Sequence, residues 1–130
     1  MVQVGPAEFF VLVAANSEER AQGLSGRPSL PLDWGMWFDL GRPTDTSFWM
    51  KEMRFPLDMV WIDAGLRVVG VTHEAPVPPL GTPEQELPLY NAGSTPVRYV
   101  LEINAGLARE LGIASGQPVR PPGVTSSSGG

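Results

Sequence analysis

The segment at residues 46–63, TSFWMKEMRFPLDMVWID, contains the side chains best suited to binding a ligand. If residues 47–50 form a short strand, the alternation of a strand places Trp49 and Lys51 together on one face. An aromatic ring beside an ammonium group suits an anionic or polar small ligand. The alternative is a structural role, because Trp and Met side chains commonly fill protein cores.

Asp58 follows the bend at Arg54, Phe55 and Pro56 in the same segment. Its carboxylate either accepts hydrogen bonds from nearby backbone N–H groups, as in a turn or cap, or pairs with Lys51 or Arg54 at the rim of a cleft. A carboxylate beside a cation stays ionised, which favours binding over proton transfer. The corner at Pro56 is expected to bring Asp58 back towards Lys51.

Two polar residues outside this segment complete the predicted site. Arg27 precedes Pro28, which favours an extended backbone, and its guanidinium could clamp a carboxylate. Glu102 alternates with apolar neighbours, so its carboxylate needs a partner if that face of the strand is covered. An Arg27–Glu102 or Lys51–Glu102 ion pair is the simplest arrangement. The predicted ligand-binding residues are Trp49, Lys51, Asp58, Arg27 and Glu102.

Catalysis is a second hypothesis. An enzyme of unknown reaction would use Lys51 and Asp58 together with Glu74 or Glu102. His73 is the only histidine in the sequence, and no GxSxG motif is present. A Ser-His-Asp hydrolase is therefore disfavoured.

A Cu(I) site made of soft ligands is the third hypothesis. Its candidate ligands are Met50, Met53, Met59, Trp49 and His73. Packing of these methionines in the core is the alternative explanation. The sequence has no cysteine, which excludes disulfides, Cys-ligated zinc, iron–sulfur clusters and thiol nucleophiles. The leading hypothesis needs no metal and no cofactor.

Composition excludes several classes of partner. The chain has 130 residues and a formal net charge of −5, so it lacks the basic surface that nucleic-acid binding requires. No apolar run reaches the roughly 18 residues of a membrane-spanning helix. A monomer with an unknown small ligand or protein partner is expected.

The elements that must position these residues are short, because 15 Gly and 14 Pro interrupt the chain. The predicted strands lie at residues 9–15, 35–40, 47–50, 58–63, 67–73 and 97–104, and a last short strand could follow around Val119. One short helix begins after Asn16 or Ser17 and ends before Gly23. A second, capped by Asn104, covers residues 105–111.

This pattern predicts an α+β fold, in which a β-rich single domain forms a mainly antiparallel sheet or a small open barrel of about six short strands with two short helices. Residues 1–7 are expected to be an N-terminal extension, 8–120 the domain and 121–130 a disordered low-complexity tail. The Pro-rich residues 74–95 form a long loop, which in a compact domain is usually functional or covers something.

Four groups of motifs, in order and with compatible spacing, resemble those of the DUF192 family, a bacterial and archaeal family of unknown function. They are QGLSGR at residues 22–27 with LP at 30–31 and GMWF at 35–38, FWMK at 48–51 with FPLD at 55–58, ID at 62–63 with GLRVV at 65–69, and YVLEINAG at 99–106. The resemblance covers roughly residues 8–120, and FWMK with PLD is its most specific block.

The resemblance implies a compact β-rich α+β domain and no established catalytic set. Many members carry an N-terminal signal or lipid anchor, which implies an extracytoplasmic location with the leader absent from this chain. Some members have cysteines in the loop corresponding to residues 74–95, but this loop is cysteine-free here, so no thiol role carries over. The leading hypothesis is a non-enzymatic extracytoplasmic module that binds a small ligand or protein partner. Its cleft would lie between residues 48–58 and the 74–95 loop.

Overall fold

The strands and helices follow the predicted pattern of short apolar segments separated by Gly-rich and Pro-rich turns. The computed structural model describes residues 1–123. The elements in chain order are β1 Val2–Val4, β2 Ala7–Ala14, α1 Ser17–Gln22, β3 Trp34–Thr44, β4 Leu57–Ile62, β5 Val68–Ala75, a 3₁₀ turn Glu84–Glu86, β6 Val97–Asn104, α2 Leu107–Leu111 and β7 Val119–Arg120. Among these residues, no helix is long and apolar enough to cross a membrane.

The seven strands form one mixed sheet in the order β5-β4-β6-β3-β2-β1-β7. The pair β2 and β3 is parallel, and the chain between them contains α1, as a crossover between parallel neighbours requires. The other strand pairs are antiparallel. Backbone bonds join the two ends of the sheet, since Val68 N–H donates to the Gln117 carbonyl at 3.0 Å and Gly116 N–H donates to the Val68 carbonyl at 2.7 Å. The sheet therefore curls into a half-barrel, which confirms the predicted β-rich α+β class.

The ends of the chain differ in what the structure describes. Val2 and Val4, within the expected N-terminal extension, are buried and form β1 between β2 and β7. Of the tail expected to be disordered, residues 124–130 lie outside the described residues.

Both faces of the central strands are covered. Inside the half-barrel, apolar residues pack with α2, including Phe9, Trp37, Val60, Ile62, Leu101 and Ile103. On the outer face, loop residues cover a second apolar cluster, including Leu24, Leu30, Met36, Phe38, Met50, Met53, Met59 and Trp61. All six residues of β4 are consequently buried, and a charged residue on either face must be accommodated in an apolar environment.

Local signals at α1 are confirmed. The Asn16 side chain accepts a hydrogen bond from the Glu19 N–H, and the Glu19 carboxylate accepts one from the Asn16 N–H, which completes a capping box. Gly23 ends this helix with a φ of 49°. In the turn between β4 and β5, Leu66 has a positive φ of 61°, and Asp63 accepts a hydrogen bond from the Arg67 N–H at 3.0 Å.

Several local predictions are wrong because long-range contacts override them. The predicted strand at residues 47–50 is reduced to a single bridge between Phe48 and Tyr90. Asn104 does not cap α2, because its amide donates to the Leu30 carbonyl at 2.8 Å.

On β6, Val97 packs in the outer cluster, whereas Leu101 and Ile103 face the half-barrel. The pairing of β3 with β6 is irregular beside Val97, between Asp39 and Thr44.

Candidate functional site

A cavity of about 270 Å³ lies on the outer face of the sheet, beneath α1 and the loop at residues 46–53. It is lined by Arg20, Ala21, Gln22, Gly23, Leu24, Ser25, Phe38, Leu40, Thr46, Ser47, Phe48, Trp49, Met53 and Glu102. We call it the Glu102 cavity. The lining is mixed: eight of its fourteen residues are apolar or glycine, and the other six are polar or charged. Ligand sites combine apolar surface with polar groups that orient the ligand.

Hydrogen bonds between two segments shape this cavity. The Ser25 hydroxyl donates to the Lys51 carbonyl at 2.9 Å, and the Gly26 N–H donates to the Glu52 carbonyl at 2.9 Å. Glu52 has a φ of 60°, so the chain reverses sharply at this point. The QGLSGR and FWMK motifs are therefore in direct contact, although more than 20 residues separate them in the sequence.

Glu102 is a buried ionisable residue that lines this cavity. It lies on β6 directly between Met36 of β3 and Met59 of β4, and only 4% of it is exposed. Within residues 1–123 no hydrogen bond or ion pair reaches its carboxyl group, whose oxygens are open to the cavity. Burial raises the pKa of Glu102 from its ordinary value of 4.5 to about 8, because the charged form loses hydration. The carboxyl group is thus mainly protonated at neutral pH.

Aromatic rings form the walls of the cavity. Phe38 and Phe48 meet edge to face with their ring centroids 4.9 Å apart, and Phe48 makes a similar contact with Trp61 at 5.6 Å. Trp49 is 40% exposed, so it is not part of the core. The aromatic walls are therefore fixed on the buried side and partly exposed on the solvent side.

Arg20 is a site residue that the sequence analysis missed. Its guanidinium Nη1 donates to the Ala15 carbonyl at 2.8 Å and to the Asp39 carbonyl at 3.0 Å, which anchors α1 to the sheet beside the cavity. Its position in the last turn of α1 was visible in the sequence. The sequence near Arg20 does not indicate a contact with Asp39, which is 19 residues away.

Trp49 and Lys51 lie side by side, as predicted. The Lys51 ammonium is 5.2 Å from the centroid of the Trp49 ring, a cation–π distance. Lys51 is also ion-paired with Glu84, and this hydrogen bond and the charge of Glu84 raise the pKa of Lys51. The ammonium group is therefore already occupied by a carboxylate from the 74–95 loop.

Lys51 lines a neighbouring cavity of about 450 Å³ rather than the Glu102 cavity. Other residues around it are Glu52, Met53, Glu84, Leu87 and residues 77–82. This is the position expected for a cleft between FWMK and the Pro-rich loop. Two adjacent depressions thus replace the single predicted cleft.

Asp58 lies on the opposite face of the sheet, fully buried. Its carboxylate accepts hydrogen bonds from the Glu74 N–H at 2.7 Å and the Ala108 N–H at 2.8 Å. The predicted ion pair with Lys51 or Arg54 is therefore wrong, and the alternative of backbone capping is confirmed. These two hydrogen bonds connect β5 with the start of α2. The β5 residue is Glu74, whose φ of 54° marks an irregular backbone position.

The remaining candidates do not converge on Glu102. Arg27 is exposed, so the predicted Arg27–Glu102 pair is wrong, as is the Lys51–Glu102 pair among the described residues. Glu74 on β5 is exposed and forms an ion pair with Arg109 of α2 at 2.6 Å, so it does not contact Glu102.

The proposed Cu(I) ligands differ in their exposure. Met50, Met53 and Met59 are buried in the outer cluster, whereas His73 is exposed on β5. In the described part of the chain, no three His, Asp or Glu side chains are grouped as metal ligands. Core packing accounts for the positions of all three methionines.

Comparisons relate the chain to one protein family and to two solved structures. The sequence profile of the DUF192 family, described as uncharacterized, matches residues 2–121. A crystal structure of a protein of unknown function from Novosphingobium aromaticivorans is similar, with 31% identity, a TM-score of 0.80 and coverage of 92% of this chain and 83% of that one. A putative transcription regulator from Sinorhizobium meliloti is also similar, with 28% identity, a TM-score of 0.76 and coverage of 92% and 90%. No functionally curated protein matches the sequence.

Proposed function

The chain belongs to the DUF192 family, and from the Glu102 cavity we propose that this member is a module that reversibly binds a small, largely apolar molecule. The main support is the Glu102 carboxyl group, which is buried beneath aromatic walls and has no partner within residues 1–123. The carboxyl oxygens are not enclosed, so a ligand in the cavity can reach them. A ligand that forms a hydrogen bond with this carboxyl group is stabilised by it.

The size and the lining of the cavity limit the ligand. An apolar cavity of about 150 Å³ holds a benzene ring, so 270 Å³ accommodates one substituted ring. Phe38, Phe48 and Trp49 offer flat apolar surfaces for such a ring.

General acid–base catalysis by Glu102 is the second candidate function. A pKa of about 8 lies close to neutral pH, which suits proton transfer. The specific hypothesis that combined Lys51, Asp58 and Glu102 has less support, since these residues lie in two cavities and on two faces of the sheet.

DNA binding has less support than small-molecule binding. The Sinorhizobium meliloti neighbour is named a putative transcription regulator. This chain has a net charge of −5, which opposes association with a polyanion. The extracytoplasmic location and the monomeric state of this protein stay predictions.

The binding function is tested by titrating the ¹⁵N-labelled protein with acetophenone, ethylbenzene, benzylamine and benzoate and recording amide spectra. Saturable shifts centred on residues 20–25 and 46–49 are expected for at least one compound. Ala21→Phe should abolish these shifts because Ala21 lines the cavity. Glu18→Phe on the same helix is the matched control, since Glu18 is exposed and does not line the cavity.

Two results would overturn the proposal. One is the absence of saturable shifts with all four compounds, and the other is equal binding by the Ala21→Phe and wild-type proteins. Recovery of a chemically converted compound after incubation would instead favour the catalytic candidate.

A further inference from the structure

We infer that the Glu102 cavity selects a neutral ligand carrying a hydrogen-bond acceptor, such as a ketone, ester or amide carbonyl, to which the Glu102 carboxylic acid donates its O–H. This inference rests on the proposed binding function and specifies the chemical class of the ligand.

The position of the carboxyl group supports the inference. Glu102 is 4% exposed, its cross-strand neighbours Met36 and Met59 are apolar, and its carboxyl oxygens are open to the cavity. A protonated carboxyl group has one O–H donor, which has no acceptor among the described residues. A ligand carbonyl inside the cavity would satisfy that donor directly.

The charges around the cavity favour a neutral ligand. Arg20 and Glu102 carry ionisable side chains, and the other described residues that line the cavity are neutral. The Arg20 guanidinium is bonded to two backbone carbonyls, and no ion pair joins it to Glu102. Nothing in residues 1–123 therefore holds Glu102 ionised.

The protonation state agrees with this geometry. Burial raises the pKa of Glu102 to about 8, so roughly nine-tenths of the group is protonated at pH 7 and about one-tenth at pH 9. A cationic ligand would have to displace this proton, and an anionic ligand would be desolvated beside a neutral acid. A neutral acceptor meets neither cost, and carboxylic acids kept neutral by an apolar site are known to act as hydrogen-bond donors.

Acetophenone and ethylbenzene form the critical pair of probes, because they differ by a carbonyl in place of a methylene group. At pH 7 acetophenone should bind roughly fivefold more tightly than ethylbenzene, the effect of one net hydrogen bond. At pH 9 this preference should fall below about twofold, because most Glu102 is then ionised. Ethylbenzene should bind no more tightly at pH 9 than at pH 7, because it offers the ionised carboxylate no hydrogen bond.

Two variants separate the hydrogen bond from general effects of pH. Glu102→Gln keeps an N–H donor and does not titrate, so it should retain the preference for acetophenone at pH 9. Glu102→Leu removes the donor and should show no preference at either pH. Urea denaturation of each variant establishes that it is folded before the titration.

The possible failures are distinguishable. Equal binding of acetophenone and ethylbenzene at pH 7 overturns this inference but leaves the binding function supported. Tighter binding of benzylamine or benzoate than of acetophenone also overturns it and identifies a charged ligand. Failure of all four compounds to bind overturns the proposed function itself.

Discussion

Replacing Glu102 with glutamine should change how the stability of the protein depends on pH. Between pH 4.5 and about 8, the folded protein holds a proton on Glu102 that the unfolded chain has lost. Raising the pH across this interval therefore favours unfolding. Below pH 4.5 both states are protonated, and above pH 8 both are ionised, so the effect is confined to this window.

The size of the effect follows from the two pKa values. The free energy of unfolding of the wild type should fall by about 2 kcal/mol from pH 5.5 to 7 and by about 3 kcal/mol from pH 5.5 to 9 on account of Glu102 alone. These are large fractions of the roughly 5–15 kcal/mol that stabilises a typical domain. Glutamine has a similar shape and does not titrate, so Glu102→Gln should lose this dependence.

Urea denaturation of both proteins at pH 5.5, 7 and 9 measures the difference. The lowest pH stays above the isoelectric point of about 4.7, where precipitation would interfere. Glu110→Gln is the matched control, because Glu110 is exposed on α2, and its curve should run parallel to that of the wild type. If the Glu102→Gln curve is also parallel to the wild-type curve, within about 0.5 kcal/mol, the carboxyl group is not held neutral by burial and the reasoning is refuted.

Three further predictions concern other parts of the fold. Asp58→Ala should lower the free energy of unfolding by about 2–4 kcal/mol in urea, because one buried and one partly buried backbone N–H group lose their acceptor; a loss under 1 kcal/mol would contradict this role. Lys51→Met should leave the urea midpoint unchanged, since the ion pair with Glu84 is exposed, and a clear decrease would show that the pair is structurally important. Gly35→Ala should destabilise by about 1–3 kcal/mol, because a Cβ there would lie 2.8 Å from a backbone oxygen. Gly70→Ala, whose Cβ would meet its nearest neighbour at 4.0 Å, is the control, and equal losses would refute the steric argument.

Part of the candidate site was accessible from sequence patterns. Trp49 and Lys51 lie side by side, as expected, but the strand from which this was predicted does not form. Glu102 was singled out because it interrupts an apolar strand. Its missing partner could not be predicted, because an isolated carboxyl group and a paired one have the same local sequence.

Asp58 shows the opposite case. Its proximity to Pro56 suggested a return towards Lys51, but β4 directs its side chain into the half-barrel. The face on which a strand residue lies depends on the register and on which face is covered, and the hydrophobic pattern of β4 does not distinguish the faces because both are buried.

The sequence by itself determined the family, the β-rich α+β class, most strand positions and the capping of α1, because these depend on local periodicity and on side chains a few residues apart. Only the tertiary structure decided the partners of the polar residues. Lys51 meets Glu84 across 33 positions, and Asp58 meets Ala108 across 50. The loops that cover the outer face bury Glu102 and leave a cavity above it. Such contacts depend on how loops return across the sheet, which no local pattern encodes, and burial then sets the protonation of Glu102.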